Sequence, residues 1–369
     1  MSKIFLVGIL LVAGAVSAQN EEAPQKFPGQ PVFFGEFRYR QQEETQQPKE
    51  TRRMQRFQAR FGFNTQVEEN LQFTFRLMTG SSASSGNQTA GDEKAPGMPR
   101  RSIGLDQAFI DYKALEVWNL YLGKMPPPFT FAGKNQMLLD RDMTLEGVGT
   151  KVTIPTTNSL NIFVQGGSFW IRENYDSAFG DDQTDNMFNA GQLGLQWKPA
   201  DWTVAAGLGS FAFISLRDSP PTNLTAGGGA NGNTLDINGN YPTNFDIQQV
   251  FLEVKKKFGS FDTAVFAETL VNEDAKTLNK AKAFGLQTGY KNWSFAWVEQ
   301  EVQKDAVVGL FTDSDFGGGQ TSSKGTMMSL GYKFTKQVQA QYTIQKSKNA
   351  IDSFPQKYDR THIDLTVSF

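Results

Sequence analysis

Cysteine is absent from the 369 residues, which excludes disulfides, thiolate chemistry and Cys-ligated metals. Histidine occurs once, as His362. With Asp364 two residues along the same strand face, it makes the one arrangement suited to acid–base work. A lone polar His in such a strand is more often part of a polar wall, so no catalytic residue, metal site or cofactor is assigned. Charge of one sign is lacking too: 36 Lys and Arg stand against 38 Asp and Glu, a net of −2, so nucleic acid is not an expected partner. Beyond residue 16 the chain also has no apolar run near the ~20 residues that a helical membrane span needs, and its mean hydropathy is −0.42.

Aromatic residues are abundant instead, with 31 Phe. They recur with a period of two, the mark of strands that separate an apolar from a polar environment. The last nine residues show it most plainly: Ile363, Leu365, Val367 and Phe369 share one face, and His362, Asp364, Thr366 and Ser368 the other. A soluble domain usually ends in a frayed polar tail. A strand that alternates to a final aromatic fits a barrel whose last strand closes on its first and turns apolar side chains to lipid. At the other end, Lys3, the apolar run 4–16 and the small residues Val16-Ser17-Ala18 form an export signal. The expected organisation is a signal peptide over 1–18, a short periplasmic lead over 19–30 and an outer-membrane β-barrel over 31–369.

The same pattern repeats along the chain. Phe33, Phe37 and Tyr39 alternate with Glu36, Arg38 and Arg40, before a Gln/Glu-rich interruption from Gln41 to Arg53. Phe57, Ala59, Phe61 and Phe63 alternate with Arg56, Gln58 and Arg60, and Leu71, Phe73, Phe75 and Leu77 with Gln72, Thr74 and Arg76. Further hairpins turn at Pro155–Asn158, Lys198–Asp201, Phe258–Ser260, Lys291-Asn292 and Thr335–Gln337. The fold class expected is all-β: a transmembrane antiparallel barrel of sixteen strands, each of about 10 residues. Short periplasmic turns alternate with long external loops, and both termini are periplasmic. Trp118, Trp197, Trp202 and Trp293 beside short turns read as an interfacial aromatic girdle. The Gly/Asn/Pro-rich stretch Ser215–Asn244 reads as a loop with no core of its own, and Glu299–Lys324 as another external loop.

A barrel of that size encloses a lumen too wide for side chains to fill, so something must narrow it. The connection 125–146 is the candidate. Pro126-Pro127-Pro128 is stiff, Phe129, Phe131, Met137, Leu138 and Leu139 give anchoring surface, and Lys134, Asp140, Arg141, Asp142 and Glu146 supply charge of both signs. Folded inward, it would face a basic ladder of Arg38, Arg40, Arg56, Arg60 and Arg76, with Asp111 also inward by parity. Such a ladder attracts anions, and carboxylates opposite it would set a field across the opening. Equally, the arginines could pair with Glu36, Asp111 or loop carboxylates and stiffen the wall. Inward Phe109, Phe163 and Phe251 could serve a substrate-specific path.

The segments Leu105-Asp106-Gln107-Ala108-Phe109-Ile110-Asp111-Tyr112, Gly123-Lys124-Met125-Pro126-Pro127-Pro128-Phe129 and Leu139-Asp140-Arg141-Asp142-Met143-Thr144-Leu145-Glu146-Gly147-Val148-Gly149 resemble the β-barrel putative porin family of Gram-negative bacteria. The resemblance implies an outer-membrane location amid lipid and lipopolysaccharide. It also implies passive diffusion of small hydrophilic solutes and ions. Wider similarity to general porins implies a homotrimer. A substrate-specific, anion-preferring channel is the alternative, and a receptor or adhesin barrel a more distant one.

Overall fold

The protein is described from a computed structural model that covers residues 28–82, 84–92, 97–175, 185–225 and 228–369. The expected signal peptide and nearly all of the lead lie outside the described residues. Among the described residues, seventeen strands form one antiparallel sheet. They are β1 (Val32–Gln46), β2 (Arg52–Glu68), β3 (Leu71–Thr79), β4 (Gln88–Thr89), β5 (Ile103–Leu115), β6 (Trp118–Met125), β7 (Leu145–Pro155), β8 (Leu160–Arg172) and β9 (Asn186–Trp197), followed by β10 (Trp202–Ile214), β11 (Phe245–Phe258), β12 (Phe261–Asn272), β13 (Lys280–Tyr290), β14 (Trp293–Val302), β15 (Ser323–Lys333), β16 (Val338–Asn349) and β17 (Gln356–Ser368). β4 has two residues and pairs, among the described residues, with Arg56 and Phe57 of β2. The other sixteen form the wall.

Closure comes from the two terminal strands. β1 pairs with β17 from Glu36↔Ser368 to Gln46↔Tyr358. Gly35 and Phe369 then exchange both backbone hydrogen bonds, each 3.1 Å. The Phe369 ring lies where a side chain at position 35 would stand, so a larger residue there would have to displace the ring from the seam. Closure pairs the two terminal strands with each other, so neither presents an open edge, which lipid could not solvate.

Alternation decides which residues meet which solvent. On β17, Ile363, Leu365 and Val367 are exposed on the outer face, while His362, Asp364 and Thr366 are buried within. Trp118, Trp197, Trp202 and Trp293 are exposed at the short-turn ends of their strands. Lys256 sits 4.2 Å above the Trp202 ring, and the Phe261 and Tyr290 rings stack at 4.6 Å. The strands run longer than expected, β1 to 15 residues and β2 to 17. The Gln/Glu-rich interruption is mostly strand, and only 47–51 is loop. Residues that are polar on both faces can still pair where both faces meet water, so the wall rises past the lipid-facing band.

Candidate functional site

The lumen has two unlike halves. On β8 to β14 the inward side chains are largely apolar: Phe169, Phe188, Phe211, Phe213, Ile247 and Leu270 are each at most 1% exposed. Such a surface cannot line water. It is covered by the segment 126–144 between β6 and β7. Phe129 packs edge-on against Phe169, Phe188 and Phe211 at 5.2–6.2 Å, and Met137, Leu138 and Leu139 are buried with them. Each fully buried ring or aliphatic chain contributes about 1.5–3 kcal/mol to holding the segment there.

Polar anchors fix the path. Thr130 N–H donates to Gln192 Oε1 at 2.9 Å, and Gln192 Nε2 donates back to the Thr130 carbonyl at 2.8 Å. Glu268, 2% exposed, accepts from Ala132 N–H and from Asn135 Nδ2. Glu253 accepts from Gly133 N–H at 2.6 Å, and Gln287 donates to the Gly133 carbonyl at 2.7 Å. Gly133 has φ +60° and lies under the Phe266 ring, so the segment can approach β12 this closely only with glycine there.

Two other loops join it. Residues 303–322, expected to be a plain external loop, bury Ala306, Val307, Val308 and Phe311. Asp140 N–H donates to the Phe311 carbonyl at 2.7 Å, Asp313 N–H to the Gln136 carbonyl at 3.0 Å, and Thr312 Oγ1 to the Met137 carbonyl at 2.7 Å. The stretch Ser215–Asn244 also departs from expectation. Leu216 and Tyr241 are fully buried, and Asn233 Nδ2 donates to the carbonyls of Lys304 and Val307. Its Gly and Asn residues supply turns, while a few apolar anchors supply the core. The run Ala306-Val307-Val308 with Phe311 is the same kind of signal as Met137-Leu138-Leu139 and could have marked the second inward loop.

The opposite half, on β1 to β3, β16 and β17, is polar and basic. Arg40 grips Asp364 through Nε and Nη2 at 2.7 and 3.0 Å, and Asp315 of the loop 303–322 through Nη1 at 2.9 Å. Asp315 also accepts from Arg360 Nη1 at 2.7 Å, so it bridges two arginines. Arg60 pairs with Asp142 at 2.6 Å and with Glu36 at 3.4 Å. Gln58 donates to the same Asp142 at 3.0 Å. Arg76 pairs with Asp106 at 2.5 Å. Arg38 and Arg56 differ. Arg38 donates to Asn87 at 2.9 Å and Arg56 reaches Gln42 at 3.5 Å, and neither has a carboxylate within ion-pair distance among the described residues. Their Nε atoms are buried without a partner.

The remaining sequence-proposed residues scatter. Lys134 and Arg141 are exposed. Asp111 sits toward the short turns, accepting from Asn119 Nδ2 at 2.7 Å, in the lining of a cavity of about 300 Å³ with Tyr121, Lys151 and Gln165. It is not with the arginines. Asp140 does not face the opening either: it is buried between two loops and accepts from the backbone N–H of Ser314 and Asp142. Glu146 is a correction of another kind. β7 already begins at Leu145, so alternation gives Glu146 the outward parity of exposed Val148, and it pairs with Lys124 at 2.6 Å. Phe163 and Phe251 lie in the apolar core, so they form no path for a solute. His362 Nε2 is 3.6 Å from Asp364, whose carboxylate is already held twice by Arg40.

The loop carboxylates titrate differently. Burial, with Asp313 alongside, pushes Asp140 up to about 7. Burial and neighbouring Asp315 raise Asp313 as well. Burial would also raise Asp142, but Arg60 and Arg38 outweigh it and hold that carboxyl below its ordinary value. Asp315, despite burial, is held well below by Arg40 and Arg360. Toward the short turns the lumen opens into a cavity of about 610 Å³ lined by Lys255, Lys257, Asp262, Gln287 and Gln341.

A family model described as "Putative porin" matches residues 15–234 and 231–369. Among solved structures, the chain is similar to Pseudomonas putida OprB in its high-pH structure, with 12% identity, 92% of this chain and 94% of that chain covered, and a TM-score of 0.60. It is similar to Salmonella typhi OmpF in complex with daunomycin, with 12% identity, 93% and 98% covered, and a TM-score of 0.55. It is also similar to a loop L8 deletion mutant of the Vibrio cholerae outer membrane protein OmpT, with 14% identity, 93% and 100% covered, and a TM-score of 0.51. At these identities the likeness is one of fold. No curated protein sequence matches the chain significantly.

Proposed function

The chain belongs to the putative porin family, and from that premise we propose how this outer-membrane porin conducts. Small hydrophilic solutes and ions diffuse passively along the basic half of the lumen, past the inward loops 126–144 and 303–322. The apolar half is closed by those loops, so the path runs beside β1 to β3, β16 and β17. Cation–anion preference is set there. One observation carries the reading: Arg38 and Arg56 face inward with no carboxylate of their own, while Arg40, Arg60, Arg76 and Arg360 are neutralised in pairs. Two uncompensated guanidinium groups in a confined polar passage favour anions.

The protein acts as a channel rather than an enzyme. The start of β1 and the end of β17 lie on the short-turn side, which is the periplasmic side in this reading, and the assembly is a homotrimer surrounded by outer-membrane lipid and lipopolysaccharide. A substrate-specific, anion-preferring channel is the second reading, favoured by the same two arginines. Liposome swelling separates the readings. A diffusion porin admits uncharged sugars at rates that fall smoothly with size. A specific channel admits anionic solutes and excludes uncharged ones of equal size. No swelling with any solute, from protein shown to be folded, would overturn both.

A further inference from the structure

One cavity of the lumen lies away from the arginines, and passage beside them gives it no task. It holds about 300 Å³ under the start of the inward segment, roughly ten waters by volume. Rings and prolines make one side of it: Phe109, Tyr121, Pro127, Pro128 and Phe129. The Phe109 and Tyr121 rings meet edge to face, with centroids 6.4 Å apart. Gly149 lies on the same wall. A Cβ there would stand 3.1 Å from Met125 Sδ and 3.2 Å from Pro128 Cγ, so a side chain would fill the space between the prolines and Tyr121. The roof is fixed. Gln192 holds the Thr130 backbone, and Thr130 Oγ1 donates to Gln165 Oε1 at 3.2 Å. A preformed, largely apolar cavity with a few convergent polar groups is the usual form of a small-molecule site.

Two charged side chains complete it, Asp111 from β5 and Lys151 from β7. Alternation turns both inward. On β6, the strand between them, Tyr121 stands opposite Asp111 and Asn119 opposite Lys151. The two charges are therefore two strands apart, about 10 Å across the sheet, and the flexible lysine stem sets the remaining gap. Asn119 Nδ2 donates to Asp111 at 2.7 Å and orients its carboxylate. Among the described residues, neither Asp111 nor Lys151 has an opposite charge within ion-pair distance, and Lys113, inward on the face of Asp111, does not supply one. In the basic half Arg40, Arg60, Arg76 and Arg360 are each matched by a carboxylate. Here an anion and a cation share one small cavity and leave each other free.

A solute that satisfies every side of this cavity has an ammonium for Asp111, a carboxylate for Lys151 and an apolar body for the rings. Both charged ends of one amino acid fit between the two side chains, each with a charge-assisted hydrogen bond of about 2.8 Å. A simple anion would meet repulsion from Asp111, and a simple cation from Lys151. We propose that this cavity binds a zwitterionic amino acid with an apolar side chain, on the short-turn side of the inward loops. The proposal rests on the reading of the lumen as a solute passage and names a solute class that the passage retains.

The test is isothermal titration calorimetry of the folded full chain in non-ionic detergent. The probes are L-phenylalanine, 3-phenylpropionate, which lacks the ammonium, phenethylamine, which lacks the carboxylate, and glucose. The native chain should bind L-phenylalanine about tenfold more tightly than either singly charged compound. Asp111→Asn, which still accepts from Asn119, should lose about tenfold for L-phenylalanine and with it the preference over 3-phenylpropionate. Lys151→Gln should lose as much and with it the preference over phenethylamine, while Lys151→Arg should restore most of the binding. Lys257→Gln, in the cavity of about 610 Å³, should change nothing. Equal affinity for the three phenyl compounds, undiminished binding in Asp111→Asn and Lys151→Gln, or no heat with L-phenylalanine would overturn the site. Glucose bound as tightly as L-phenylalanine would overturn it too, by making the cavity a sugar site. Bilayer conductance of the same preparation tests the channel reading separately: steps without binding refute the site alone, and binding without steps refutes the channel alone.

Discussion

The two halves of the lumen solve opposite problems with the same alternation. On β8 to β14 many inward residues are Phe, Ile, Leu and Ala, and they are sealed by loop segments that bring their own apolar side chains. On β1 to β3, β16 and β17 the inward residues are Arg, Gln, Asp and His, satisfied largely by one another. The apolar half holds the loops by area, which is non-directional and tolerant, and by neutral or single-carboxylate hydrogen bonds from Gln192, Glu253, Glu268 and Gln287 that set their path. The basic half holds them by two ion-paired contacts, Asp142 to Arg60 and Asp315 to Arg40 and Arg360, which are directional and leave a polar surface. Both sides therefore anchor the loops, and the proposed permeation path follows only the polar one.

The sharpest way to break that division is to hollow the apolar half. Phe211→Ala removes the ring at the centre of the loop contact and should cost about 3–5 kcal/mol of anchoring. The expected signs are faster proteolysis of 126–144 and 303–322 and larger, noisier conductance steps, with ion preference little altered. Next comes the latch. Asp315→Asn leaves Arg40 and Arg360 without their shared carboxylate, and breaking such a buried pair costs on the order of 3 kcal/mol. Hydrogen exchange should rise in 303–322 while 126–144, still held by Glu268 and Gln192, stays protected.

A third change touches permeation alone. Arg38→Gln with Arg56→Gln should lower the anion-to-cation permeability ratio by roughly two- to fivefold. Stability should move little, because neither arginine has a carboxylate within ion-pair distance and Asp142 keeps its direct partner Arg60. Glu146→Gln, on the outer wall, should change neither property. The smallest effect is that of pH. Asp140, raised to about 7, and Asp313, also raised, take up protons as pH falls from 8 to 5, while Asp142 and Asp315, both depressed, stay ionised. Two negative charges leave the buried loop contact beside the passage and the ion pairs remain, so anion preference should increase at pH 5. The linkage has the matching sign. A carboxyl raised in the folded state contributes stability below its unfolded value that is lost as pH rises toward the folded one. The loop contact at Asp140 should thus loosen between about pH 4 and 7, and Asp140→Asn should abolish that slope in thermal unfolding.

The wall was legible because alternation is a local property. Each of β10 to β17 could be read from its own residues, and so could the turns between them. Strand ends were less legible. From Gln41 to Gln46 both faces are polar, and periodicity carries no signal where both sides meet water. Glu146 follows the charged run Asp140-Arg141-Asp142, and nothing local marks that β7 begins at Leu145. The basic ladder could be named by parity, but its partners could not. Asp315 and Asp364 lie 275 and 324 residues from Arg40. Nothing local in Asp313-Ser314-Asp315 announces that this loop turns inward. Only the apolar cluster beside it does.

The most direct measurement of the central claim is the zero-current potential of the purified, folded protein in a planar bilayer under a potassium chloride gradient. The account predicts stepwise channels whose potential has the sign of chloride preference. A potassium preference, with Arg38 and Arg56 intact, would contradict the placing of permeation in the basic half.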